Sequence, residues 1–306
     1  MVALIGETRI LGQKRRNAKM NNGVAVMNSK RIGFTLVELL IVVMIIAILA
    51  GMALGALQIA QDSAAKARTR VTIQKLHRFV MEKYASYQYR YVPVSTTGTS
   101  KERALERLKE LRLLQRREMP DCWSEVPSDT SDATAAQIRF VQARPSNVSD
   151  AQNPHASAEL LYLLVMSMPG ADVAFASSEI GDTDGNGLKE FLDGWGQPIY
   201  FIRWPGQYYN GNNGVISQLQ TMEAKDGRYL QHDPFDPMRV DGNAYAVFPL
   251  IFSSGPDGMK GIIMGGGATV PYEGDAGSPG ESDGNGHNTT TETSFIYDNI
   301  TNHNLD

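Results

Sequence analysis

The sequence predicts an α+β chain: a long N-terminal membrane-spanning helix packed on a small antiparallel β-sheet head with extra helices. Three observations predict it. Leu39–Gln61 is an uncharged, mostly apolar run, long enough for the roughly 20 residues a helix needs to cross a bilayer. Beyond it, Val71, Leu76, Phe79, Val80 and Tyr84 recur mostly at three- to five-residue steps, with Arg68, Arg70, Lys75, Arg78 and Lys83 between them. That spacing marks a one-sided helix lying on a body. From Gly194 the texture changes to short apolar runs separated by turn residues, as in a small sheet.

The first element opens with Lys30 and Arg31, then Gly33, Phe34, Thr35 and Glu38. Basic residues on the N-terminal flank place that end in the cytoplasm. A lone carboxylate in such a run is costly, so Glu38 asks for a reason. The segment Gly33–Leu40, GFTLVELL, resembles the signal of type IV pilins and type II secretion pseudopilins. The resemblance implies that a prepilin peptidase cuts between Gly33 and Phe34 and methylates the new terminus, leaving Glu38 as the fifth mature residue. An ordinary anchor would leave Glu38 unexplained. A secretory signal cut near Ala53–Ala56 fits poorly, because its apolar region would hold a charge and exceed the usual length of about 7–15 residues.

The chain then divides into 1–33 as a leader, 34–60 as the transmembrane and assembly half of the helix, and 61–306 as an extracytoplasmic pilin-like head. The leader is long, and Met20 and Met27 offer later starts; from Met27 it would read MNSKRIG. With no proline or clear cap from Phe34 to Ser86, a continuous helix there would be about 80 Å long at about 1.5 Å per residue.

Seven of the 29 Lys/Arg and one of the 33 Asp/Glu lie in residues 1–33, so the remainder has 22 basic and 32 acidic side chains, a net charge of −10. An acidic head argues against nucleic acid as a partner, since phosphate binding needs a basic face. The single cysteine, Cys122, excludes an internal disulfide.

Val92–Ser100 reads as a linker. Lys101–Glu118 follows as a helix, with Leu105, Leu108, Leu111 and Leu114 at three-residue steps and Pro120 beyond its end. A short helix is expected around Ala133–Val141, and a buried one over Ser157–Met168 before Pro169. Pro198–Trp204 and Ala244–Ser254 are the clearest strands, with Pro249 splitting or bending the second. Lys260–Met264 reads as a further short strand, and Gly265–His287 as a long loop.

Three segments deepen the resemblance, now to major pseudopilins of type II secretion. Asp193, Trp195, Gly196, Pro198 and Tyr200 are similar to that family's DxWGxPxxY segment, with one residue fewer before the tyrosine. Ser253, Gly255, Asp257 and Gly258 match its SxGxDG, and Asn299-Ile300-Thr301-Asn302 stands for its Asp-Ile-Thr-Asn terminus. The helical middle, Lys101–Met168, is larger than a compact major pseudopilin has, which points to a divergent relative.

Asp182–Asp193, DTDGNGLKEFLD, has the spacing of a twelve-residue calcium loop. Asp182, Asp184 and Asn186 would supply oxygens at positions 1, 3 and 5, and Gly187 the turn at 6. The Leu188 carbonyl would serve at 7, Glu190 at 9 and Asp193 at 12. Asp at position 12 and Lys189 at 8 depart from the pattern, and the competing reading is a solvated turn. The pseudopilin resemblance implies a second calcium site, using Asp257, Asn299 and the adjacent Asp298.

The five histidines make no metal-protease spacing, Cys122 has no sequence partner, and Gly265–Gly267 lacks the Lys-Ser/Thr of a phosphate loop. No enzyme is expected. The resemblance implies a filament subunit of the inner membrane, single-pass with a cytoplasmic N-terminus. Its partners would be the peptidase, like subunits in a helical filament, an assembly platform and the membrane itself. The rival readings are a minor pseudopilin and an anchored calcium-stabilised binding module that never polymerises.

Overall fold

In the computed structural model, described residues are 33–131, 133–145, 153–206, 208–210, 215–216, 222–223, 229–230, 232–242, 246–264, 269–271, 276, 281–282, 288–289 and 299–303. The architecture is α+β, a long N-terminal apolar helix with small antiparallel sheets and further helices. The chain forms two compact units, one ending at Leu54 and one beginning at Gly55.

Helix α1, Leu36–Ser86, is 51 residues long. Its first residues are those of a capping box: Glu38 N–H donates to Thr35 Oγ1 at 3.1 Å, and Glu38 Oε2 accepts the Thr35 N–H at 3.2 Å and its hydroxyl at 3.1 Å. From Leu36 through Gln61 every residue is exposed. From Ala65 onward one face turns inward, burying Ile73, Leu76, Val80 and Tyr84.

Helix α2, Ser100–Glu118, starts at a second capping box between Thr99 and Glu102 and buries Leu108 and Leu111. Helix α3, Ala135–Ala143, is short, and α4, Ala156–Val165, is buried along most of its length. Gly170, at φ +81°, reverses the chain into the single turn α5, Ala171–Ala174.

The strands are brief. β1, Ile180–Gly181, and β2, Glu190–Phe191, form a hairpin. β3 is Ile199–Ile202. β4, Tyr209–Asn210, pairs with β5, Val215–Ile216, and β6, Met222–Glu223, with β7, Tyr229–Leu230. β8, Leu250–Ser253, begins directly after Pro249, which cannot donate to a ladder. β9, Glu281–Ser282, and β10, Asn288–Thr289, form another ladder, and β11 is Ile300–Thr301. The main sheet runs β11-β8-β3, all antiparallel.

Its side chains alternate between two clusters, as the strand period requires. Ile199, Phe201 and Ile251 join the core that α1, α2 and α4 cover, and Tyr200, Ile202, Leu250 and Phe252 join a smaller one with Ile262. Asn302 acts as an extra rung: its backbone N–H donates to Ile251 O at 3.0 Å, and its side-chain oxygen accepts the Ile251 N–H at 2.8 Å. The expected strand at Lys260–Met264 does not form. Ile262 makes one bridge, and the left-handed Gly261, at φ +59°, breaks the extended run.

Candidate functional site

Gly33 and Phe34 precede α1 as exposed coil, and Phe34 is 77 % exposed. A side chain at Gly33, Gly51 or Gly55 would meet nothing within 4 Å, so no contact inside the chain requires glycine at these places. Glu38 is exposed and caps its own helix, a role the Thr35-x-x-Glu38 spacing could have announced. Among the described residues, one helix is long and apolar enough to cross a membrane.

The predicted twelve-residue loop spans the β1–β2 hairpin, with Gly181 opposite Glu190 and left-handed Gly185 and Gly187 making the turn. Its carboxylates do not converge as a single ring. Asp182 turns back on its own loop and accepts the N–H groups of Gly185 at 2.7 Å and Gly187 at 2.9 Å. These bonds hold its pKa below the usual range. The Leu188 N–H donates to Asn186 Oδ1 at 2.7 Å.

Asp193 is occupied elsewhere. Its Oδ1 accepts the N–H groups of Trp195 and Gln197, both at 2.9 Å, and its Oδ2 accepts the Ser253 hydroxyl at 2.6 Å. Asp193 therefore ties the first two pseudopilin-like segments together, and the third reaches them as β11 beside β8.

Asp184 and Glu190 do meet, and their third member is Glu159 of α4: one oxygen from each lies within 4.8 Å of the others. Glu159 and Glu190 are fully buried. Burial, with Asp184, Glu159 and Asp182 as like-charged neighbours, pushes the Glu190 pKa up to about 7. Asn186 bridges the other two, its amide nitrogen donating to Glu159 Oε1 at 2.6 Å and to Asp184 Oδ2 at 2.9 Å. Sequence reading missed Glu159. Its signal was available, a lone carboxylate in the apolar stretch SAELLYLLV. An all-oxygen set of this kind suits a hard divalent cation.

At the second predicted site, Asp257 accepts the Met259 N–H at 2.8 Å and Asn299 donates to the Lys260 carbonyl at 2.7 Å. Asp298 lies outside the described residues. Another acidic group, Asp121–Cys122–Glu125, is already neutralised. Arg203 reaches Glu125 at 2.6 Å and Asp121 at 3.7 Å, and Arg116 adds a bond to Glu125 at 3.0 Å. Cys122 is buried there and accepts the Ser124 hydroxyl at 3.2 Å.

Residues 28–54 match the family model of the prokaryotic N-terminal methylation motif. That match ends inside the apolar half of α1. No curated protein and no solved structure matches the chain.

Proposed function

We propose that the chain is a structural subunit of a type IV pilus-like or type II secretion pseudopilus filament. One observation carries this reading: the methylation motif at 28–54 runs into a helix whose apolar surface is uncovered from Leu36 to Gln61. Uncovered apolar surface of that extent needs lipid or neighbouring subunits. A prepilin peptidase would cut after Gly33 and methylate Phe34 while the helix holds the precursor in the inner membrane, N-terminus inside and head outside. An assembly platform would then gather α1 helices into the filament core.

In lipid, helix association rests on close packing and on polar groups. Gly51 and Gly55, where a side chain would meet nothing within 4 Å among the described residues, supply the close approach, and Glu38 supplies the polar group. The role is mechanical rather than catalytic, and calcium stabilises the head. Intact mass and N-terminal sequencing of the membrane-extracted protein test the reading, which requires a start at methylated Phe34. An uncleaved chain would favour the anchored binding module, and a start near Ala56 would make it a secreted protein.

A further inference from the structure

We propose that Glu159, Asp184 and Glu190 bind one calcium ion, clamping α4 to the β1–β2 hairpin. The inference rests on the reading that calcium stabilises the head, and it assigns that ion a site in which Glu159 replaces Asp182 and Asp193.

Distance is the first argument. Calcium holds oxygens at about 2.3–2.6 Å, so two donors to one ion lie at most about 5 Å apart. The three carboxylates meet that limit, with one oxygen from each within 4.8 Å of the others.

Charge is the second. No Lys, Arg or His forms a salt bridge to any of the three among the described residues, whereas Asp121 and Glu125 are answered by Arg203. Glu159 has neutral donors only: Trp123 Nε1 at 2.7 Å, Asn153 Nδ2 at 2.9 and 3.0 Å, and Asn186 at 2.6 Å. These orient a ligand without cancelling its charge, as the outer partners of a metal site do.

The third argument is an orphan atom. Glu190 is fully buried; its Oε2 accepts the Thr183 N–H at 3.0 Å and hydroxyl at 3.4 Å, but its Oε1 has no hydrogen-bond partner. A buried carboxylate oxygen left unpaired is costly, and a cation beside Asp184 and Glu159 would satisfy it. The Asn186 amide, fixed by the Leu188 N–H on its oxygen, donates to both Glu159 and Asp184 and holds them in place. Three carboxylates drawn from a hairpin and a helix suit calcium's adaptable shell better than magnesium's strict octahedron.

The test uses the full chain in detergent with terbium as the luminescent calcium analogue. Trp123 donates to Glu159, so indole excitation should give sensitised terbium emission that calcium displaces. Asp184→Asn, at an exposed position that leaves the core intact, should weaken terbium binding about tenfold or more. Glu159→Gln should do the same and abolish the rise in melting temperature that calcium gives the parent. Parent-like binding by Asp184→Asn overturns this site. If calcium still raises that variant's melting temperature, the calcium-stabilised reading stands with its ion elsewhere. Absence of any terbium or calcium effect on the parent overturns both, and N-terminal sequencing then judges the filament reading independently.

Discussion

The backbone N–H of Gly194 donates to the Thr69 hydroxyl at 2.9 Å, and that hydroxyl in turn donates to the Ala65 carbonyl at 2.9 Å. The approach is so close that a Cβ at Gly194 would lie 2.2 Å from the Ala65 oxygen. Trp195 completes the contact by donating its indole N–H to Asp62 at 2.9 Å. A turn that follows Asp193 thereby seats on the helix backbone. Gly194→Ala forces that turn off the helix and should cost about 1–3 kcal/mol, a fall of about 2–12 °C in melting temperature for a head of this size. Trp195→Phe, which loses one bond to a half-exposed aspartate, should cost less. An unchanged melting temperature for Gly194→Ala would show that the turn is not seated there.

Glu38 caps its own helix through Thr35, and the proposed filament would give it a second, separable role of offering charge to a neighbour. Glu38→Gln keeps an acceptor at the third helical position, as a capping box permits, but removes the charge. Glu38→Val removes both. If charge drives assembly, both variants should insert, fold their heads and fail to enter filaments in cells lacking the parent copy. Incorporation of Glu38→Gln would reduce Glu38 to a cap.

His303 carries a pH dependence. It is buried, its Nε2 lies 3.1 Å from the Pro249 carbonyl, and the edge of Tyr208 packs on it. Burial, with His77 as the nearby titrating group, lowers its pKa to about 4 from the usual 6.5. The unfolded chain therefore takes the proton first. The stabilisation is complete above about pH 6.5 and is lost as pH falls towards 4, with a limiting slope of about 1.4 kcal/mol per pH unit. Burial lowers the pKa of His77 as well, so the comparison must be differential. Urea unfolding at pH 7.5 and 5.0 should show a smaller loss for His303→Gln than for the parent.

Arg203 is 1 % exposed and holds Glu125 by two bonds, at 2.6 and 2.7 Å, beside Asp121. Its removal strands Asp121 and leaves Glu125 with Arg116 alone. Arg203→Met should cost about 3–5 kcal/mol, the usual penalty for breaking a buried pair from one side. Adding Glu125→Gln should recover part of that loss. Additive losses in denaturant titrations of the two single variants and the double variant would show no coupling.

Long periodic elements were legible in the sequence because their signal is local. The apolar run gave α1, and the leucine steps between Ser100 and Pro120 gave α2. Pro249 marked where β8 could begin. Glu38's cap was equally local, a threonine three residues before a glutamate. The carboxylate cluster was half legible. Asp184 and Glu190 lie in one hairpin, but Glu159 arrives on α4, and only packing sets its distance from them. Spacing also could not decide whether Asp193 closes the loop or opens the next turn; Ser253, 60 residues away, decides it. At Lys260–Met264 an apolar pattern was overridden by one left-handed glycine.

The core joins segments far apart in the chain: Ile73 and Leu76 of α1 share one cluster with Ile300 of β11. Such a core cannot close until Ile300 has been made, 224 residues after Leu76. Non-local pairing of this kind is slow and leaves apolar surface open in the meantime. The inner face of α1 must therefore wait without its β11 contact until Ile300 has been made. A chaperone that binds apolar helical segments should act on this chain early and release it late, and a ribosome stalled before Ile300 should display a nascent chain that proteases still cut within Ile73–Tyr84.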